Sequence, residues 1–81
     1  MRIRVLLFAG ARARAGMEQV DLDLPAGVTV AQARQALAER CPGLGGLLDR
    51  SMIAVNEEVA DNDAVIPPGA ELALLPPVSG G

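Results

Sequence analysis

Val30, Ala33, Leu37 and Cys41 fall at i, i+3, i+7 and i+11, one narrow apolar stripe on a helix whose start is marked by Thr29-Val30-Ala31-Gln32. In that capping box the Thr hydroxyl and the Gln side chain satisfy amides that a first helical turn leaves without partners. Arg34, Glu39 and Arg40 are displaced from the stripe, and Pro42-Gly43 ends the helix. A helix with one buried face must lay that face on another apolar layer. The flanking segments supply it as strands. Ile3, Val5 and Leu7 alternate with Arg2, Arg4, Leu6 and Phe8, the period-2 signature of a strand over 2–8. Val20, Leu22 and Leu24 alternate with Gln19, Asp21 and Asp23, a second strand with one wet face. Between them 10–16, rich in Ala and Arg, reads as a helical turn or loop.

Beyond the helix, 44–50 reads as a loop with some tight helical character, and Met52 to Val55 as a short strand. Asn56-Glu57-Glu58 turns the chain, and Val59-Ala60 returns briefly. Residues 61–69 form a loop that Pro67-Pro68-Gly69 closes, and Glu71 to Leu75 is the last strand. The order β-β-α-β-β predicts an α+β class. Its expected architecture is the β-grasp, or ubiquitin-like, fold: one main helix packed across a mixed sheet of four to five strands. One domain over 1–77 is expected, followed by a flexible tail over 78–81.

Composition closes several functional classes. His is absent, so imidazole bases, imidazole metal ligands and Ser-His or Cys-His nucleophile pairs are out of reach. Cys41 is the lone cysteine and continues the buried stripe, which makes it a core residue rather than a nucleophile and rules out an internal disulfide. The run Asp61-Asn62-Asp63 lacks the glycine turn and later Glu of a calcium loop. Gly43, Gly45 and Gly46 lack the Lys of a phosphate loop. No metal and no permanently bound cofactor is expected. The net charge is −3, and all seven basic residues are Arg, four of them within the first fourteen positions. With Phe8 as the only aromatic there is neither a basic stripe nor a stacking platform, which argues against nucleic acid. The apolar run 5–9 is too short for a signal or membrane segment, so no membrane role is expected and the cytoplasm is the expected compartment.

The end of the chain is the most informative stretch. Pro76 and Pro77 donate no ladder hydrogen bonds and hold φ near −65°, so the last strand must stop and leave the domain as a stiff arm. Four small residues follow, Val78-Ser79-Gly80-Gly81, which span roughly 13 Å at ~3.3 Å per residue. A terminal Gly80-Gly81 has no side chain to block a narrow channel. Such an end suits a carboxylate delivered into the active site of another protein. Strand periodicity also places Leu6, Phe8 and Leu75 opposite the core side of their strands. If the first and last strands are neighbours, those three form an apolar patch of the kind that marks an interface, unless the segment 11–15 covers Leu6 and Phe8.

The residues Val5-Leu6-Leu7-Phe8-Ala9 with Arg12 nearby, Val28-Thr29-Val30, Ala54-Val55-Asn56 and above all Gly69-x-Glu71-Leu72-Ala73-Leu74-Leu75-Pro76-Pro77-Val78-Ser79-Gly80-Gly81 resemble the MoaD/ThiS type of ubiquitin-like sulfur carriers, with the molybdopterin synthase branch best matched. The resemblance implies that Gly81, with Gly80 before it, is the reacting end. A ubiquitin-activating-like adenylyltransferase would adenylate it with ATP, and a sulfurtransferase would convert the adenylate to a thiocarboxylate. The large subunit of molybdopterin synthase would then spend that sulfur on the cyclic pterin precursor to build the dithiolene, within a heterotetramer. The carrier supplies no acid or base; it is the sulfur-donating subunit. Partner contacts would come from Leu6, Phe8, Arg12, Val59, Leu75, Pro76, Pro77, Val78 and Ser79. The alternatives within the resemblance are a carrier for thiamin thiazole, cysteine or tRNA thiolation, or a ubiquitin-like protein modifier.

Overall fold

The computed structural model describes residues 1–77, and the expected tail 78–81 lies outside them. In chain order the elements are β1 (Arg2–Leu7), α1 (Ala9–Ala15), β2 (Gln19–Asp23), α2 (Val30–Arg40), a single 3-10 turn (Pro42–Leu44), α3 (Gly46–Arg50), β3 (Met52–Val55), β4 (Glu58–Ala60) and β5 (Glu71–Leu75). The five strands form one sheet in the order β2-β1-β5-β3-β4. β1 and β5 run parallel at its centre, and every other pairing is antiparallel. This is the mixed sheet and α+β class expected of a β-grasp.

The core is aliphatic because the chain offers little else. Ile3, Val5 and Leu7 of β1 line up with Val20 and Leu22 of β2, Leu72 and Leu74 of β5 and Ile53 of β3, all buried on one side of the sheet. The α2 stripe Val30, Ala33 and Leu37, continued by Cys41 as the helix C-cap, closes over them. Cys41 is 6% exposed within this cluster.

The first turn of α2 has every amide accounted for. Gln32 N–H donates to Thr29 Oγ1 (3.3 Å) and Thr29 N–H to Gln32 Oε1 (2.9 Å), the reciprocal capping box. Val30 N–H donates to the Ala64 carbonyl (2.9 Å) and Ala31 N–H to that of Asn62 (3.0 Å). The loop that reads as an acidic stretch therefore also finishes the helix cap, while Asp61 and Asp63 stay exposed.

Two segments depart from or sharpen the expectation, for local reasons. Phe8 is not the end of β1 but the N-cap of α1, which spans most of 10–16 and ends at Gly16 in the left-handed region, φ 74°. In residues 44–50 the expected tight helical character extends to most of the segment: Leu44, Leu47 and Leu48 are all buried, from a 3-10 turn and a helix too short to show a periodic stripe. These short turns stand because tertiary partners take their free carbonyls. Ser51 Oγ donates to Leu47 O (2.7 Å), and Arg34 Nη1 donates to Leu48 O (2.6 Å) and Ser51 O (2.8 Å). The guanidinium thus sits at the C-terminal end of α3, where the helix dipole favours a cation. A Cβ at Gly43 would lie 2.8 Å from the Arg14 carbonyl oxygen, so only glycine lets the 3-10 turn pack against the end of α1.

β3 and β4 are joined by a two-residue loop, Asn56 (φ 50°) and Glu57 (φ 74°), flanked by the pair Val55 and Glu58. Positive φ at both central residues is the primed turn whose twist matches a tight hairpin. Asn56 N–H donates to Glu71 O (2.9 Å), and its Oδ1 accepts from Glu71 N–H (3.1 Å), fastening the hairpin to the start of β5. Among the described residues no helix is long and apolar enough to cross a membrane.

Candidate partner interface

The side of the sheet away from α2 divides into a polar end and an apolar end. At the polar end Arg4 stands between Asp21 on β2 and Glu71 on β5, and Arg2 opposes Asp23. The Arg4–Asp21 and Arg2–Asp23 contacts are 4.0 Å and 3.9 Å between exposed side chains. Pairs of that kind add little stability.

The apolar end is a continuous row made by strand register. Leu6 of β1 opposes Ala73 of β5, Ala73 opposes Ala54 of β3, and Ala54 opposes Val59 of β4. One step further along, Leu75 of β5 opposes Met52 of β3. Since Leu7 pairs with Leu74, the next residue of the chain, Phe8, comes level with Leu75. Phe8 is 44% exposed, Met52 54% and Val59 60%, while Leu6, Ala73 and Leu75 are half-buried. Ala54 is buried yet stands outside the core cluster, covered by its strand neighbours on this open side.

The segment 11–15 does not cover Leu6 and Phe8. Its Ala11 is buried in the main core, so α1 packs on the α2 side and leaves Phe8 outside. Ala9 holds φ 47°, uncommon for a residue with a Cβ, at the corner where the chain leaves β1. Arg12 lies one turn from Phe8, its N–H donating to the Phe8 carbonyl (3.3 Å) and its exposed Nη1 standing 3.5 Å from Glu18 Oε1.

The exit of β5 adjoins this patch. After Leu75 come Pro76, exposed, and Pro77, half-buried, so the chain leaves the sheet beside Phe8 and Met52. Of the sequence-derived site residues, Leu6, Phe8, Val59, Leu75, Pro76 and Pro77 lie on or beside this apolar end, with Arg12 next to Phe8 on α1. Val78, Ser79, Gly80 and Gly81 lie outside the described residues. Met52, Ala54 and Ala73 complete the surface; Ala73 follows from alternation with Leu72 and Leu74, whereas Met52 and Ala54 were not legible that way. The run Met52-Ile53-Ala54-Val55 is apolar on both faces, and that double apolarity was the available signal. Nothing in the patch titrates, so it can recognise an apolar counterpart and position the chain end, and it offers no acid or base.

Comparison with known proteins places the chain in a family. A family model described as the ThiS family matches residues 5–81. The molybdopterin synthase sulfur carrier subunit of Arabidopsis thaliana is 36% identical over 81 residues, covering 100% of this chain and 84% of that protein. That of Homo sapiens is 30% identical, covering 99% and 94%. The crystal structure of SAMP1 from Haloferax volcanii superposes with a TM-score of 0.88 at 32% identity, over 100% of both chains. With a match running almost end to end and a shared ubiquitin-like fold, the chain belongs to the ThiS family.

Proposed function

We propose that this protein is the sulfur carrier subunit of molybdopterin synthase, working through the carboxylate of Gly81. The observation that carries the proposal is the placement of the extended apolar surface that the described residues form on the open side of the sheet: it adjoins the point where β5 gives way to Pro76-Pro77, after which the sequence runs to Gly80-Gly81. A partner that docks on Leu6, Phe8, Met52, Val59 and Leu75 has the Pro76-Pro77 exit of β5 beside it. The relatives in plant and human bear this name, and the family match extends through residue 81.

In the proposed cycle a Gly81 carboxylate oxygen attacks the α-phosphorus of ATP in an adenylating partner, and pyrophosphate leaves. A sulfurtransferase persulfide displaces AMP to give an acyl disulfide, and attack of a second thiol on its outer sulfur releases the thiocarboxylate and leaves a disulfide on the sulfurtransferase side. The large synthase subunit transfers that sulfur to the cyclic pterin precursor, in a heterotetramer and in the cytoplasm, where ATP is available. All catalysis rests with the partners; the carrier contributes its end group and its docking face.

The test is mass spectrometry of the full chain after incubation with its adenylating enzyme, ATP and a sulfur source. One oxygen-to-sulfur replacement at the C-terminus is expected, while a chain lacking Gly81 folds normally and stays unmodified. Modification of the truncated chain refutes the role of Gly81. Recovery of the large synthase subunit on co-purification supports the pterin pathway, whereas a thiazole synthase in its place overturns it. A second reading, covalent protein modification through Gly81, is favoured by the likeness to SAMP1, a small archaeal modifier protein. It predicts lysine conjugates in cell extract that disappear with Gly81.

A further inference from the structure

β2 is an edge strand: among the described residues, nothing pairs with the side facing away from β1. The hydrogen bonds that flank its ladder set the phase. Leu7 N–H donates to Glu18 O (2.8 Å) and Leu24 N–H to Met1 O (2.8 Å), so 18, 20, 22 and 24 turn their peptide groups toward β1. Gln19, Asp21 and Asp23 therefore turn theirs outward, and these same residues carry exposed side chains on the open side of the sheet.

Charge alternates across the strands behind this edge. The row Glu71, Arg4, Asp21 ends on a carboxylate at the edge, and so does the row Arg2, Asp23. A strand added beside β2 continues the alternation if its open-side residues are cationic. Its other residues face a shallow groove between β2 and α2, lined by Asp21, Leu22, Asp23, Leu24, Ala36, Glu39 and Arg40. Leu24 and Ala36, both half-buried, are the apolar part of that groove, against which aliphatic side chains can pack. A second copy of this chain fits poorly, because antiparallel pairing of two β2 edges brings Asp21 and Asp23 against like charges.

We propose that the β2 edge is a docking site, separate from the Phe8–Leu75 patch, for an extended segment of another protein in which Lys or Arg alternates with aliphatic residues. Main-chain hydrogen bonds to Gln19, Asp21 and Asp23 hold the segment, and the carboxylates select its charge. The inference does not depend on the chemistry of Gly81.

The test uses the full chain and a capped eight-residue peptide of alternating Val and Lys, with a Val-Glu peptide as control, followed by amide chemical shifts and protection. Perturbation centred on Gln19, Asp21 and Asp23 with the Lys peptide, weaker at high salt and absent with the Glu peptide, is the expected result. Asp21→Pro removes an outward donor without removing a hydrogen bond to β1, and is expected to weaken binding roughly tenfold or more. Phe8→Asp should leave it unchanged. Should Asp21→Pro fail to fold, the Asp21→Asn, Asp23→Asn double variant gives the charge comparison and is expected to flatten the salt dependence. Absence of binding, equal binding of the two peptides, or perturbation confined to Phe8 and Leu75 overturns the proposal. So does concentration-dependent dimerisation through β2 that the Lys peptide fails to displace.

Discussion

Arg34 shows how one side chain can outweigh its place in a pattern. On α2 it lies off the apolar stripe and reads as a solvated charge. In the fold it donates to Leu48 O, Ser51 O and Asn62 Oδ1, tying α2 to the end of α3, the start of β3 and the loop before β5. Its Nε is buried without a partner, a cost the three charge-assisted bonds offset. Arg34→Ala leaves two carbonyls without their cation and is expected to cost about 2 kcal/mol. A urea titration reads this as a lower midpoint. Arg34→Lys should recover only part of it, because one ammonium cannot reproduce the guanidinium fork.

At the scale of elements, α2 and the β3–β4 hairpin differ in how local their instructions are. The capping box of α2 is written within four residues, and Thr29→Ala is expected to lower stability by about 1 kcal/mol in thermal unfolding. The hairpin is less ideal for its turn. Asn56 tolerates positive φ and gains the Glu71 hydrogen bond, but Glu57 holds φ 74° with a Cβ and no compensating bond among those described. Glu57→Gly removes that strain at some cost in chain entropy, with a net gain of roughly 0.5 kcal/mol expected from a shift in the denaturation midpoint. Loss of stability instead would show that Glu57 has a role in the turn beyond its backbone.

For the whole molecule, the sheet separates two tasks. One side is sealed by α2 and carries stability; the other presents apolar residues at the end from which β5 departs. Phe8→Asp places a charge on that open side, where 44% of Phe8 is already exposed. Stability should change by less than about 0.5 kcal/mol, since nothing in the core is disturbed. Affinity for the large synthase subunit, the partner proposed above, should fall by roughly 100-fold, as for a central aromatic anchor. Calorimetric titration checks the second, and undiminished affinity would remove the patch from the interface.

The local periods were readable without coordinates. Alternation in 2–8 and 19–24, the helical stripe with its capping box and the Pro-Pro exit are properties of a few consecutive residues, and backbone geometry converts each directly into a strand, a helix or a stop. Residues 44–50 and 10–16 were legible only as loop or helical turn, because one or two turns show no period and stand only on neighbours distant in sequence. The apolar patch was half legible: Leu6, Phe8, Ala73 and Leu75 follow from alternation once β1 and β5 are adjacent. That adjacency, and with it the joining of Met52, Ala54, Ala73 and Val59 into one surface, was decided by the closing of the core. Which strands pair, and in which register, depends on all the buried faces being satisfied together, and no single segment carries that information.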